Sequence, residues 1–252
     1  MIFSFKKYLL LPLAAVLTLS AFAAESEPTA QEFLQRARNP KSASTYGMFH
    51  GILQHRRRGV EPLEMPIYFG IVIENDETIG RILVDRRESY TIHQIRKAGQ
   101  ADTRVVSDPP NSGIMNRVGM RVSDLTMSFL HYKLVKELDR TTLSAVVSCR
   151  VLLLESPDNQ PGGKEFVKVY LDKEHAFPLR AEFFRNPGDK KPFRMMEANG
   201  FTKKNDLYYA RTIVVEGPGW RTKVEFEPKS AAVGLYDRTI LKKNVLYPEL
   251  NK

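Results

Sequence analysis

Apolar and polar residues alternate with a period of two over much of this chain, and the alternation is sharpest in its second half. Val167, Val169 and Leu171 oppose Lys168 and Asp172; Leu179, Ala181 and Phe183 oppose Arg180 and Glu182; Val224 and Phe226 oppose Lys223, Glu225 and Glu227. Side chains on a strand point alternately to the two faces of a sheet, so each segment predicts a strand with one dry and one wet face. The second half reads as strands at Val146 to Glu155, Phe166 to Asp172, Pro178 to Phe184, Phe193 to Phe201, Leu207 to Glu216 and Arg221 to Pro228. The gaps between them are rich in Pro, Gly, Asn, Asp and Lys, which suits hairpins. In the first half, Tyr46 to Arg57, Pro66 to Glu74, Gly80 to Asp85 and Glu88 to Ile95 predict a four-stranded meander. Their connections are too short for crossover helices, so these strands are antiparallel.

Other periods interrupt this pattern. Ala30, Phe33, Leu34 and Ala37 fall at helical spacing after Pro28, predicting a short amphipathic helix from Thr29 to Arg38 that stops at Asn39-Pro40. Lys97 to Gly119 holds Gly99, Pro109-Pro110, Asn111 and Gly113, and predicts a long loop with one edge strand at Thr103 to Val106. Ser123-Asp124 is placed to cap a helical turn over Leu125, Phe129 and Leu130, and Lys136 to Thr142 reads as a linker. The sum, about ten strands with two minor helices, belongs to a sandwich or a barrel. A curved sheet of this kind has a concave apolar face that closes as core or stays open around an apolar ligand.

The amino terminus changes the picture. Lys6 and Lys7 precede an apolar run from Tyr8 to Leu19 and a small-x-small site at Ala21-Phe22-Ala23, so residues 1–23 read as a cleavable export signal, with cleavage before Ala24. The run is shorter than the ~20 residues of a membrane span. No cysteine stands at the cleavage point to carry a lipid anchor, so the expected product is a soluble periplasmic protein, residues 24–252 as a single domain. Cys149 is the lone cysteine, so no intramolecular disulfide forms, and its neighbours Val147 and Val151 mark it as a small buried hydrophobe. Loss of Lys6 and Lys7 takes the formal charge from +9 to +7. The basic groups, Arg56-Arg57-Arg58, Arg86-Arg87, Lys190-Lys191, Lys203-Lys204 and Lys242-Lys243, are scattered over expected turns and strand ends, as on a solvated surface.

Candidate chemistry is sparse. The chain has no nucleophile elbow, zinc-protease helix, phosphate-binding glycine loop or cysteine pair. His50 and His55 lie five apart on one strand and face opposite sides, which is wrong for two ligands of one metal. Glu225 and Glu227 read as strand-surface charges, Asp124 as a cap, and Trp220 after Gly217-Pro218-Gly219 as a hairpin-end anchor. Nucleic-acid binding is disfavoured by export and by the lack of an RNA-recognition signature. No catalytic residue, metal or cofactor is expected.

Three stretches carry a resemblance. Ser123-Asp124-Leu125-Thr126-Met127-Ser128-Phe129-Leu130-His131-Tyr132 resembles the D-L-s-x-x-F-L-x-W element of the outer-membrane lipoprotein-sorting proteins, relatives of the carriers LolA and LolB. Phe166 to Asp172 and Phe177 to Phe184 resemble the strand pair of that family, with Tyr170 where the family often has Trp. The segments Phe193 to Phe201, Tyr208 to Val215 and Arg221 to Glu227 resemble the strands that follow. The resemblance implies a mainly β fold with minor α: a single curved antiparallel sheet forming a half-open, unclosed barrel, with short helices as lid or plug. It implies a carrier that shelters the acyl chains of a lipoprotein or another lipid in an apolar hollow, with membrane transport components as partners and a monomer as the expected state. The candidate lining residues are Phe49, Leu53, Phe69, Ile71, Val167, Val169, Leu179, Phe183, Val224 and Phe226, and the candidate lid is Lys97 to Gly119 with Leu125 to Leu130. Two rivals remain: an envelope interaction or sensor protein on the same fold, and an enzyme using His93 or His175.

Overall fold

A computed structural model describes residues 27–38, 44–74, 76–97, 100–110, 112–143, 146–158, 163–237, 239 and 242–248. The export signal expected at residues 1–23 and the helix stop at Asn39-Pro40 lie outside them. The amino-terminal helix α1 spans Ala30–Arg38. Its start is fixed by a reciprocal cap, in which the Glu32 carboxylate accepts from the Thr29 N–H at 2.8 Å and the Thr29 hydroxyl accepts from the Glu32 N–H at 3.3 Å.

Five strands follow as a meander: β1 (Thr45–Arg57), β2 (Val60–Glu74), β3 (Glu77–Val84), β4 (Glu88–Lys97) and β5 (Gln100–Asp108). Then come the short helix α2 (Ile114–Arg117) and two 3-10 turns, Val122–Asp124 and Ser128–His131. The second meander comprises β6 (Lys133–Leu143), β7 (Val147–Glu155), β8 (Phe166–Asp172), β9 (Pro178–Phe184), β10 (Arg194–Lys204), β11 (Leu207–Gly217) and β12 (Trp220–Phe226). The chain ends in β13 (Ala232–Leu235) and helix α3 (Lys242–Leu246).

All these strands form one antiparallel sheet in the order β5-β4-β3-β2-β1-β12-β11-β10-β9-β8-β7-β6. The two meanders meet where β1 pairs with β12, from Gly51 opposite Phe226 to Arg57 opposite Trp220. Past the end of β12, β13 continues along the same side of β1, Thr45 opposite Leu235. The sheet curls without closing, and β5 and β6 are its edges: the fold is the half-open barrel expected from the sequence. Hairpin chemistry matches local sequence, as at Asn205 and Asp206, whose φ values of 49° and 58° give the doubly left-handed turn that joins β10 to β11.

Four expectations are corrected. Lys136 to Thr142 is no linker but part of strand β6, none of whose residues is fully buried, so no clean alternation marks it. Its register with β7 also shifts twice, between Leu134 and Lys136 and between Leu138 and Thr141. Within the expected loop from Lys97 to Gly119 the edge strand is present but longer than Thr103 to Val106, running as β5 in unbroken register with β4. Leu125 to Leu130 is not a continuous helical turn: Met127, with φ of 50°, breaks it into a bend and a 3-10 turn. The Asp124 carboxylate caps the turn that begins at Arg121, accepting the Arg121 N–H at 2.7 Å, not the segment after it.

The main core lies inside the curl. A smaller apolar cluster sits on the outer face, where Val245 and Leu246 of α3 cover Val72 of β2, and the Tyr68 hydroxyl donates to the Val245 carbonyl.

Candidate functional site

The concave face of the sheet is a trough walled by alternate residues of both meanders. Phe49 and Leu53 of β1 stand beside Phe69 of β2 on one side and beside Val224 and Phe226 of β12 on the other, and Val167, Val169 and Phe183 continue the wall through β8 and β9. Phe49 meets Phe226 at 5.3 Å and Tyr209 at 5.2 Å between ring centroids. Of the ten lining candidates, Leu179 is half-buried at the start of β9 and outside this cluster; the others, with Ile71 only partly buried, share it. The strand period alone brought them together.

The trough is not empty. Phe33 and Leu34 of α1 and the crossing segment from Gly113 to Tyr132 fill it, with Met115, Val118, Met120, Leu125, Phe129 and Leu130 all buried against the wall. Phe129 meets Phe183 edge-on, with ring centroids 5.6 Å apart. Sequence reasoning picked out Leu125, Phe129 and Leu130 and placed Met115 and Val118 in the candidate lid without naming them as apolar contacts. Met120 lay outside it, and the spacing of these three over a broken backbone gives no periodic signal. Together these residues act as a plug.

Polar ties hold the plug at its length. At its start, the Glu88 carboxylate accepts from the Tyr90 hydroxyl at 2.5 Å and from the Ile114 N–H at 2.8 Å. Burial pushes the Tyr90 phenol up to about 12, and the hydrogen bond to Glu88 adds to the rise. The Thr222 hydroxyl donates to the Val118 carbonyl and lies 2.8 Å from Nδ1 of buried His55. Next in order, the Arg121 guanidinium grips Glu165 in a fork at 2.6 and 2.8 Å, and the Tyr132 hydroxyl donates to the same carboxylate at 3.1 Å. Buried Asp124 pairs with buried Arg194 of β10. Both guanidinium groups also sit over the Phe183 ring, Arg121 at 5.6 Å and Arg194 at 4.8 Å. At the far end, Arg38 of α1 donates to the carbonyls of Leu130 and Tyr132, each at 2.8 Å. Beside it, burial holds half-buried His131 well below the usual imidazole range, to about 4, with the charges of Arg38 and Arg96 acting in the same direction.

Other titratable groups lie away from the trough. His50 is exposed on the outer face against Tyr68, opposite to His55. His93 faces Glu77 at 2.5 Å, and His175 lies 3.2 Å from Asp172, each pair half open to solvent. Cys149 is fully buried, and burial pushes its thiol up. Among the described residues no group of three His, Cys, Asp or Glu side chains is placed to hold a metal. A pocket of about 390 Å³ opens between β5 and the plug, lined by Tyr90, Val105, Ser107, Met115, Asn116 and Arg121 among others.

Among the solved structures that share this architecture, a DUF1329 family protein from Desulfovibrio piger superposes with a TM-score of 0.60 and 14% identity, over 86% of this chain and 96% of that one. An outer membrane lipoprotein-sorting protein domain from Vibrio parahaemolyticus gives 0.59 and 17%, over 88% and 97%. A LolA superfamily protein from Nitrosomonas europaea gives 0.51 and 13%, over 88% and 99%. The fold is therefore LolA-like. No family model matches the sequence, and no curated protein does either.

Proposed function

We propose that this chain is an exported, non-enzymatic carrier that shelters the acyl chains of a lipid or lipoprotein in its trough, with the plug yielding as cargo enters. The observation that carries this reading is the division of labour inside the curl. The wall belongs to the sheet, but what covers it is a short segment, Gly113 to Tyr132, that pairs with neither meander. The LolA-like fold and the lipoprotein-sorting domain among the similar structures support it. No helix among the described residues is long and apolar enough to cross a membrane, and residues 1–23 read as an export signal. We place the mature chain in the periplasm, as a monomer meeting transport components of the inner or outer membrane.

Magnitudes favour a cargo with several chains. Withdrawing the plug uncovers seven buried apolar side chains, from Ile114 to Leu130, at about 2 kcal/mol each, or about 14 kcal/mol. One chain of about 16 carbons returns about 12 kcal/mol at ~0.8 kcal/mol per methylene. Two or three chains outweigh the plug, whereas one only matches it. Candidate lining residues for this cargo are those of the wall, Phe49, Leu53, Phe69, Ile71, Val167, Val169, Leu179, Phe183, Val224 and Phe226.

Native mass spectrometry of the purified protein, with displacement of a fluorescent fatty-acid probe by mono-, di- and triacyl lipids, tests this function. The expected result is bound lipid, displacement that strengthens with chain number, and faster hydrogen exchange across Gly113 to Tyr132. A lipid-free protein that displaces nothing and keeps the plug protected sinks the carrier. One observation favours a second reading, a sensor or interaction protein that carries nothing: the plug is tied by buried ion pairs, Asp124 with Arg194 and Arg121 with Glu165.

A further inference from the structure

The two edges of the sheet are built differently. β6 is defended in the manner of strands that must not pair: its register with β7 breaks twice, and Lys133, Lys136, Asp139 and Arg140 are exposed along it. β5 also carries exposed charges, Asp102, Arg104 and Asp108, but it lacks the register breaks. It stays in continuous register with β4, from Ser89 opposite Asp108 to Lys97 opposite Gln100, with no proline inside it, and it exposes Val105 and Val106 at 44% and 52%. Among the described residues nothing pairs with its outer side, so alternate N–H and C=O groups there face solvent.

The pocket of about 390 Å³ lies beneath this edge. Ile92 pairs with Val105 and Tyr90 with Ser107, so Val105 and Ser107 share the concave face with the buried side chains of β4. A strand laid along β5 would extend that face and send alternate side chains toward the pocket. The lining is of two kinds: Val105, Met115 and Val122 are apolar, while Tyr90, Ser107, Ser112, Ser123 and Asn116 offer hydroxyl or amide groups. The charge of Arg121 is already matched by Glu165.

We infer that β5 is an acceptor edge for an extended segment of another polypeptide, which adds a strand to the sheet and places a long neutral side chain with a polar tip, such as glutamine or tyrosine, in the pocket beneath. Backbone pairing supplies affinity in this mode, and the pocket supplies specificity. A second copy of this chain is the poorer occupant, because its own concave-side residues on β5, Ala101, Thr103, Val105 and Ser107, are too small to fill the space. This interaction uses none of the wall residues named for lipid, but Met115, Asn116, Arg121, Val122 and Ser123 of its pocket belong to the plug, so it requires the plug in place.

The test uses lysine-flanked heptapeptides of alternating threonine and valine, with glutamine, tyrosine or alanine at the centre, titrated into the full chain by fluorescence anisotropy. The glutamine or tyrosine peptide is expected to bind at least about tenfold tighter than the alanine peptide and to slow hydrogen exchange in β5. Binding is expected to vanish when alternate peptide nitrogens are methylated. Ser107→Trp should abolish the preference by filling the pocket, and Asn116→Trp, on the exposed side of α2, serves if the first variant fails to fold. The inference is overturned if no peptide binds, if alanine binds as well as glutamine and tyrosine, or if methylation has no effect. It is also overturned if light scattering shows a dimer of the free protein that Val106→Lys dissociates.

Discussion

Gly119 lies flat against the indole of Trp220: a Cβ built at Gly119 would stand 2.6 Å from Cη2 and Cζ3 of the ring, and the backbone there has φ of 72°. The contact pins the middle of the plug to the hairpin that opens β12. Gly119→Ala therefore adds a steric clash to left-handed backbone strain, and we expect a loss of about 2 to 3 kcal/mol in urea unfolding. Trp220→Leu in the same chain should recover part of it, because the clash goes and the strain stays. Equal losses with and without the indole would show that the two residues do not interact.

Asp124 and Arg194 are both buried and pair with each other, while Nε and Nη1 of Arg194 have no hydrogen-bond partner among the described residues. Removing one partner leaves a charge in the core, so Asp124→Ala should cost about 3 to 5 kcal/mol. The double change Asp124→Leu with Arg194→Met should cost much less, since both desolvation penalties go together. Calorimetric melting of the three proteins checks the order, and a double variant as unstable as the single one contradicts it.

Protonation of His131 should loosen the plug. Its imidazole is held at about 4 in the folded chain against 6.5 when unperturbed. Between those values the unfolded state binds a proton that the folded state refuses, so stability is whole above about pH 6.5 and is lost as the pH falls toward 4. His131→Gln should flatten the difference in unfolding free energy between pH 7 and pH 4.5 by on the order of 2 kcal/mol, discounted for partial exposure. Parallel pH profiles for the two proteins would refute the assignment.

Phe129→Ala separates plug from wall. Loss of the edge-on contact with Phe183 should lower stability by about 3 to 5 kcal/mol and, if cargo competes with the plug, should raise lipid affinity in the probe-displacement assay. A destabilised protein whose lipid affinity is unchanged or weaker would show that the plug does not compete for the trough.

The strand period made the wall legible: Phe166 to Asp172 and Pro178 to Phe184 are strands over the very bounds their alternation marks. Both faces are as expected in the first, whereas in the second Leu179 is only half-buried and Phe184 is buried on the opposite face. Where no position is fully buried and the register breaks twice, the period fails, as in β6. The apolar spacing of Leu125, Phe129 and Leu130 resembles a helix because two tight turns, split at Met127, send side chains to the same wall. The ion pairs were illegible for another reason. Arg121 meets Glu165 across 44 positions and Asp124 meets Arg194 across 70, and nothing local distinguishes these four charges from the exposed ones around them. The Glu32 cap on α1 is local and falls where the helix was expected to begin.

The junction of β1 with β12 also bears on how the chain assembles. Each meander is a run of neighbours in sequence, so either can form from contacts that cost little chain entropy. Strand β1 must wait for both Trp220 to Phe226 and Ala232 to Leu235, and the fold therefore acquires its final cooperativity late, when almost the whole polypeptide is present. A chain threaded through a translocon from its amino terminus would stay open along that seam until its last hairpin emerges.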